Sequence, residues 1–313
     1  WVFDRPAHVY VVAADGTGTP RNLTPGEFSH QAPAWLPDSS GLIAPGRRHD
    51  DWDLDLATDL FAISVPEPGS TEEPAIRRMT ATDGSYIAPS VSPDGSRIAF
   101  VGTVDTSVGA QNARVGLLPV DSDEEPHTEI RWITAGFDRT FATLVSGTTA
   151  PVWDGDDHLL AIAEDRGEAH LYRIPADGSF VPAPVTDGPI VATGVDAASG
   201  TVAVTVSSVD RPGELLVNGE TRTALGDAYA ARSLGWEKFE ARTTDGTDVI
   251  DAWIMRPADF DPTQRYPVLL NVHGGPHAQY GEAFMDEFQM QAAAGFAVVA
   301  GNPRGSSGRH SGW

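Results

Sequence analysis

Four times in the first two-thirds of the chain, an apolar residue followed by threonine precedes a strand-like run that breaks at a tight turn. The first copy has Leu23-Thr24 and then Pro33-Ala34-Trp35-Leu36-Pro37-Asp38-Ser39-Ser40-Gly41-Leu42-Ile43-Ala44. The second has Met79-Thr80 and then Pro89-Ser90-Val91-Ser92-Pro93-Asp94-Gly95-Ser96-Arg97-Ile98-Ala99-Phe100. Ile133-Thr134 with Pro151–Ala161, and Val185-Thr186 with Val195–Val204, are weaker copies. Each reads as strand, turn, strand. Proline fixes φ, aspartate bonds back to the turn backbone, and glycine takes the left-handed corner.

Equivalent positions Trp35, Val91, Trp153 and Val195 are 56, 62 and 42 residues apart. Between the turns lie alternating runs at His8–Val12, Leu60–Val65, Val115–Val120 and Leu171–Ile174. Four-stranded blades of a β-propeller repeat on this scale, and a β-sandwich with coincidental turns is the alternative. The fold class expected is a partial, all-β propeller over residues 1–234. The short count of units and the start at Trp1 rather than methionine imply an expected loss of sequence at both ends.

From residue 235 the pattern changes. Phe239–Thr243 and Asp248–Met255 read as strands joined at Asp245-Gly246, a hairpin signal. A Pro-punctuated loop leads to Val268–Val272, an apolar run expected to be a buried parallel strand. It opens into His273-Gly274-Gly275-Pro276. Glu282–Ala294 reads as a helix with Phe284, Met285 and Phe288 on one side and Gly295 as its stop. Phe296–Ala300 reads as the next buried strand. A hairpin followed by strand, helix and strand is how an α/β-hydrolase sheet begins, so residues 235–313 are expected to be the first part of such a domain.

Composition narrows the partners. The net charge is −23, and a single lysine, Lys238, stands beside 20 arginines. So acidic a chain repels phosphate backbones, so no nucleic-acid partner is expected. There is no cysteine, hence no disulfide and no thiolate metal site. No apolar run reaches membrane-spanning length. A cytoplasmic protein with no membrane partner fits these features, and homo-oligomerisation is compatible with them.

The WSPDG-like turns, Arg265-Tyr266-Pro267, His273–Pro276, Gly295–Val298 and Asn302-Pro303-Arg304-Gly305-Ser306-Ser307-Gly308 together resemble the prolyl oligopeptidase family, in its acylaminoacyl-peptidase and dipeptidyl-peptidase-like branch. The resemblance spans nearly the whole chain. It implies a serine peptidase acting on short peptides through an acyl-enzyme, with the propeller gating access and no cofactor. It also implies that the backbone N–H of Gly275 donates to the oxyanion, where a side chain would block the scissile carbonyl. The triad Ser, Asp and His are expected to be absent from this chain. No serine has glycine at both −2 and +2, and Ser307 fails at Arg309. The chain alone is therefore expected to be inactive. A non-enzymatic propeller of the TolB type and an esterase are the rival readings.

Other candidates resolve to blander roles. His273 is read as a structural histidine holding the glycine loop, and His277 as either a cleft or a surface residue. Arg304 is expected to brace its loop against a carboxylate. Asp50, Asp51, Asp53, Asp55 and Asp59 invite a calcium site, but Leu56 occupies the position where the EF-hand needs glycine. They are read as solvated carboxylates, with Arg47 and Arg48 as pairing partners and no metal. Glu72-Glu73, in a Pro/Ser/Thr-rich loop, is not assigned to substrate.

Overall fold

The computed structural model describes residues 5–121, 126–127, 130–143 and 147–313; Trp1 lies outside them. The described chain is mostly β, with two helices. β1 (Tyr10–Val11) pairs antiparallel with β2 (Arg21–Asn22). Four antiparallel units of four strands follow. The first is β3 (Ala34–Trp35), β4 (Gly41–Gly46), β5 (Asp59–Ser64) and β6 (Ile76–Arg78). The second is β7 (Ser85–Val91), β8 (Arg97–Thr103), β9 (Arg114–Pro119) and β10 (Arg131–Trp132). The third is β11 (Val152–Asp154), β12 (His158–Asp165), β13 (Glu168–Pro175) and β14 (Ala183–Pro184). The fourth is β15 (Val191–Ala198), β16 (Thr201–Ser208), β17 (Arg211–Val217) and β18 (Glu220–Thr221). A single parallel contact, Ala169 with Val191, links the last two.

The units stack face to face in chain order, because their strands are apolar on both sides. On β12, Leu159, Ala161 and Ala163 pack with β8 residues Ala99 and Val101 of the second unit. The alternate residues Leu160 and Ile162 pack with Val204 and Val206 of the fourth. Ile98 and Phe100, on the opposite face of β8, join Ile43 and Leu60 of the first. A strand with both faces covered must be a near-continuous apolar run, and His158–Asp165 is one. Fully buried side chains such as Phe100 and Leu159 stabilise by about 1.5–3 kcal/mol each.

The apolar–threonine pairs stitch each outer strand. The Leu23 N–H donates to Val9 O while the Thr24 hydroxyl accepts the Val9 N–H. The same exchange joins Met79-Thr80 to Leu60, Ile133-Thr134 to Val115, and Val185-Thr186 to Leu171. Arg222-Thr223 makes it again with Leu215, a fifth copy with no apolar residue before its threonine. The turns also repeat. Asp38 accepts from Ser40, and Asp94 from Ser96, each between the first two strands of its unit. Gly95 takes the left-handed corner at φ 76°, whereas Ser39 fills it in the first copy at φ 63°.

After α1 (Asp227–Ala230), β19 (Trp236–Arg242) and β20 (Val249–Met255) form an antiparallel pair. β21 (Val268–Asn271), α2 (Asp286–Ala293) and β22 (Ala297–Gly301) follow. The sheet order is β19-β20-β22-β21, with β22 antiparallel to β20 and parallel to β21. Two expectations change. The helix starts at Asp286, since residues 278–284 are drawn out along the preceding sheets by Gln279, Glu282 and Phe284. β21 is not buried: Val268, Leu270 and Val272 are 62–70% exposed on an edge strand whose outer face nothing covers among the described residues. α2 packs instead through Phe288 and Ala292, with Met255, Val298 and Ala300.

Candidate active site

β21 delivers the chain into the loop at His273–Pro276. Gly274 and Gly275 are both exposed. Gly275 has φ 133°, a backbone region that only glycine enters readily. A β-carbon there would lie 3.1 Å from Ala278 Cβ and 3.2 Å from His277 N. Among the described residues, no acceptor meets the Gly275 N–H. The loop thus holds an exposed, unspent backbone donor at the carboxyl end of a parallel strand, where ligands of open α/β sheets collect.

The loop is braced from one side. His273 Nδ1 lies 2.9 Å from Gly274 O, so that nitrogen must carry the proton, because a carbonyl only accepts. The other ring nitrogen, Nε2, is 3.0 Å from Ser306 Oγ. Ser306 has one proton and two acceptors, for Pro303 O is 2.6 Å away. Ser306 is only 4% exposed, and among the described residues no carboxylate orients the His273 imidazole. The contact therefore ties the glycine loop to the Asn302–Gly308 segment and does not present a nucleophile. Asn302 completes the brace, accepting from Tyr280 N and donating to Tyr280 O, both at 2.8 Å.

From the other side the loop's continuation grips the β12–β13 turn at Arg166-Gly167. Gln279 accepts the Gly167 N–H at 2.9 Å and donates to Glu168 O at 3.0 Å. The Glu282 N–H donates to Gly167 O at 2.7 Å. The Glu282 carboxylate accepts both the Trp253 and the Trp236 indole N–H. Arg166 donates its N–H to Gly308 O and pairs with Asp251, which Arg309 also approaches at 2.6 Å. Asp251 is nearly inaccessible; two guanidinium hydrogen bonds and their charges hold its carboxyl below the ordinary value despite burial. Ser307 donates to the carboxylate of Glu164, which is 2% exposed.

The other sequence candidates fall as follows. Arg304 pairs with Asp245 at 2.8 Å and with Asp248 at 3.1 Å, bracing its loop on the β19–β20 hairpin. His277 is half-buried beside the glycine loop, and burial pushes its imidazole down. Asp55 is taken by Arg47 and His49, whereas Arg48 lies over the Phe28 ring. Asp59 is not solvated: it is fully buried at the start of β5, where Thr80 and Thr82 donate to its carboxylate. No group of metal-ligating side chains is present among the described residues. Glu72 and Glu73 are exposed. Sequence reading missed Gln279, Glu164 and the Arg166-Gly167 turn. The signal available was a charged residue, Glu164, closing an apolar run.

No family model matches the chain. The Bacillus subtilis (strain 168) uncharacterized peptidase YuxL is 34% identical over 167 residues, half of this chain and 25% of that protein. The dipeptidyl-peptidase 5 of Aspergillus oryzae is 26% identical over 290 residues, 87% of this chain and 38% of that protein. Among solved structures, the uncomplexed Pyrococcus horikoshii acylaminoacyl peptidase superposes with a TM-score of 0.69 at 19% identity, over 96% of this chain and 44% of that one. A puromycin hydrolase superposes at 0.64 and 18% identity, over 97% and 56%. The chain spans about a quarter to two-fifths of the length of these sequence relatives. The likeness to these solved structures is one of overall fold. The sequence relatives are named as a peptidase and a dipeptidyl-peptidase, and this chain is similar to them over half or more of its own length.

Among the described residues no helix is long and apolar enough to cross a membrane.

Proposed function

We propose that the chain provides the gating propeller and the first oxyanion donor of a serine peptidase that hydrolyses short peptides, in the manner of acylaminoacyl- or dipeptidyl-peptidases. Residues 1–234 would be the propeller blades, and residues 235–313 the opening strands of the α/β-hydrolase domain. The 1-2-4-3 order of β19–β22 supports the second assignment, and the face-to-face stacking of the units supports the first.

The observation that carries the reading is the exposed, unpaired N–H of Gly275 at the end of β21. During acyl transfer, a serine oxygen adds to the substrate carbonyl and its π electrons move onto oxygen. A fixed N–H aimed at that oxygen stabilises the developing charge, and losing one such donor costs about 10²–10³ in kcat. The second donor, the nucleophile, its imidazole base and the orienting carboxylate are not among these residues. Peptide substrates are consistent with the solved neighbours, one of which holds Z-Gly-Gly-Phe-chloromethyl ketone.

The test is a structure of a longer protein containing this sequence, reacted with a phosphonate that mimics the tetrahedral intermediate. The phosphonyl oxygen is expected within hydrogen-bond distance of Gly275 N. An oxygen held wholly by other donors would refute the assignment.

A further inference from the structure

Glu164 is a carboxylate sealed into the contact between the antiparallel sheets and the segment that braces the glycine loop. It is 2% exposed. Its own N–H donates to Thr140 O, and its carboxylate receives the Ser307 hydroxyl. Among the described residues no cation is bonded to it. The charges around it are engaged elsewhere. On its own hairpin, Arg166 pairs with Asp251 and Glu240, and Glu168 with His170. From the preceding connection, Arg139 pairs with Asp165, while Asp138 accepts from Asn112 and Ser311. From the glycine-loop side, Arg309 pairs with Asp251, and the imidazole of His277 is pushed toward its neutral form by burial. His310 packs on Trp313.

An ionised carboxylate removed from water with a single hydroxyl donor is under-compensated, whereas the protonated acid is not. Burial accordingly pushes the Glu164 carboxyl up to about 7, with the Ser307 hydroxyl opposing. Around it stand contacts that only make sense as one assembled join. Gly167 N–H and O, Arg166 N–H, the Glu282 N–H and the Ser307 N–H to Ala278 O all cross or flank the same seam.

We propose that Glu164, enclosed at its contact with Ser307, is a proton-sensitive clasp: the β12–β13 turn is held against the glycine-loop segment when Glu164 is protonated, and the seam loosens when Glu164 ionises, because the Ser307 hydroxyl offsets only part of the cost of burying the charge. The sign follows from proton binding. Released to water, the carboxyl returns toward its ordinary value, so it binds a proton more readily when the seam is closed. The seam is therefore tightest in mild acid. It loses that contribution as pH rises from the ordinary carboxylate value of 4.5 to about 7. The clasp sits one residue from Ser306, which contacts His273, so its loosening reaches the segment that braces Gly275. This inference is independent of the peptidase reading, because its readout is the seam and not activity.

The experiment is hydrogen–deuterium exchange on the full chain, wild type and E164Q, read on peptides carrying the Gly167 and Glu282 amides. Taking the wild-type to variant ratio cancels the chemical pH dependence of exchange. That ratio should rise on the order of tenfold between about pH 5.5 and 8.5, since glutamine keeps the shape but cannot ionise. Ser307→Ala removes the one donor and should displace the wild-type transition to higher pH. A ratio that stays flat or falls with pH, or an unchanged transition in Ser307→Ala, would overturn the clasp. Arg166→Ala should speed exchange at every pH and leave the shape of the profile unaltered. A flattened profile in that variant would place the pH sensitivity in the ion pairs instead.

Discussion

Gly167 lies flat against the indole of Trp253. A β-carbon on Gly167 would come within 2.4 Å of the ring, and one on Gly281 would sit 1.7 Å from Gly167 O. Neither the indole nor the backbone can yield, since Trp253 is fully buried with its N–H on Glu282. Gly281→Ala should therefore destabilise by about 2–4 kcal/mol, at or above the upper range for overpacking. Thermal or urea unfolding followed by tryptophan fluorescence measures it. A loss under about 0.5 kcal/mol would mean the turn is not seated here.

The repeated threonines carry a second prediction. Thr80 accepts the Leu60 N–H and donates to Asp59 at 2.6 Å, all within a fully buried site. Thr80→Val keeps the shape, removes the acceptor of the buried Leu60 N–H, leaves Asp59 with only its two bonds from Thr82, and should cost about 1–3 kcal/mol. Thr17→Val, in an exposed loop, is the control and should cost under about 0.5 kcal/mol. Equal effects from the two would remove the hydroxyl from the stitching role.

These threonines also show what the sequence could disclose. Thr24, Thr80, Thr134 and Thr186 follow apolar residues, so their period was readable, and so were the Pro-Asp turns. Thr223 escaped because arginine precedes it, although the backbone exchange is the same. Val268–Val272 was readable as a strand but not as an edge. An apolar run records what a strand can be covered by, and here the outer face is bare among the described residues. Gly275 was legible because the glycine loop follows its strand directly. The Arg166-Gly167 turn was legible as a turn only. Its partners Gln279 and Asp251 lie 112 and 85 residues away in sequence, joined by pairings that no local pattern encodes.

Acid should unfold the first unit through His30. Burial first, and then the charge of Arg48, push its imidazole down to about 4. The ring is 2% exposed and wedged against Gly46, where no β-carbon would fit. A histidine with a lowered value must be neutral in the fold. The associated stability is complete above its ordinary value of 6.5 and is lost as pH falls toward about 4. His30→Gln should flatten that limb of the stability–pH curve, which spans about 3 kcal/mol in wild type. An unchanged acid limb would contradict the assignment.

The bare face of β21 should make the chain sticky. Val268, Leu270 and Val272 alternate outward on an edge strand, with Met290 of α2 66% exposed. Leu270→Lys should lower the binding of an apolar-surface dye and slow aggregation, while changing stability by no more than about 0.5 kcal/mol. Undiminished dye binding would locate the sticky surface elsewhere.

The proposed role gives this chain the Gly275 donor of a serine peptidase but not its nucleophile. A fluorophosphonate probe, applied to the 313-residue chain beside a longer protein containing it, tests this most directly. Ser306 lies 3.0 Å from His273 but is buried, and no serine has the flanking glycines of a nucleophile elbow. Stoichiometric labelling is expected of the longer protein and none of the 313-residue chain. Stoichiometric, inhibitor-sensitive labelling of the chain at Ser306 or any other of its serines would contradict it.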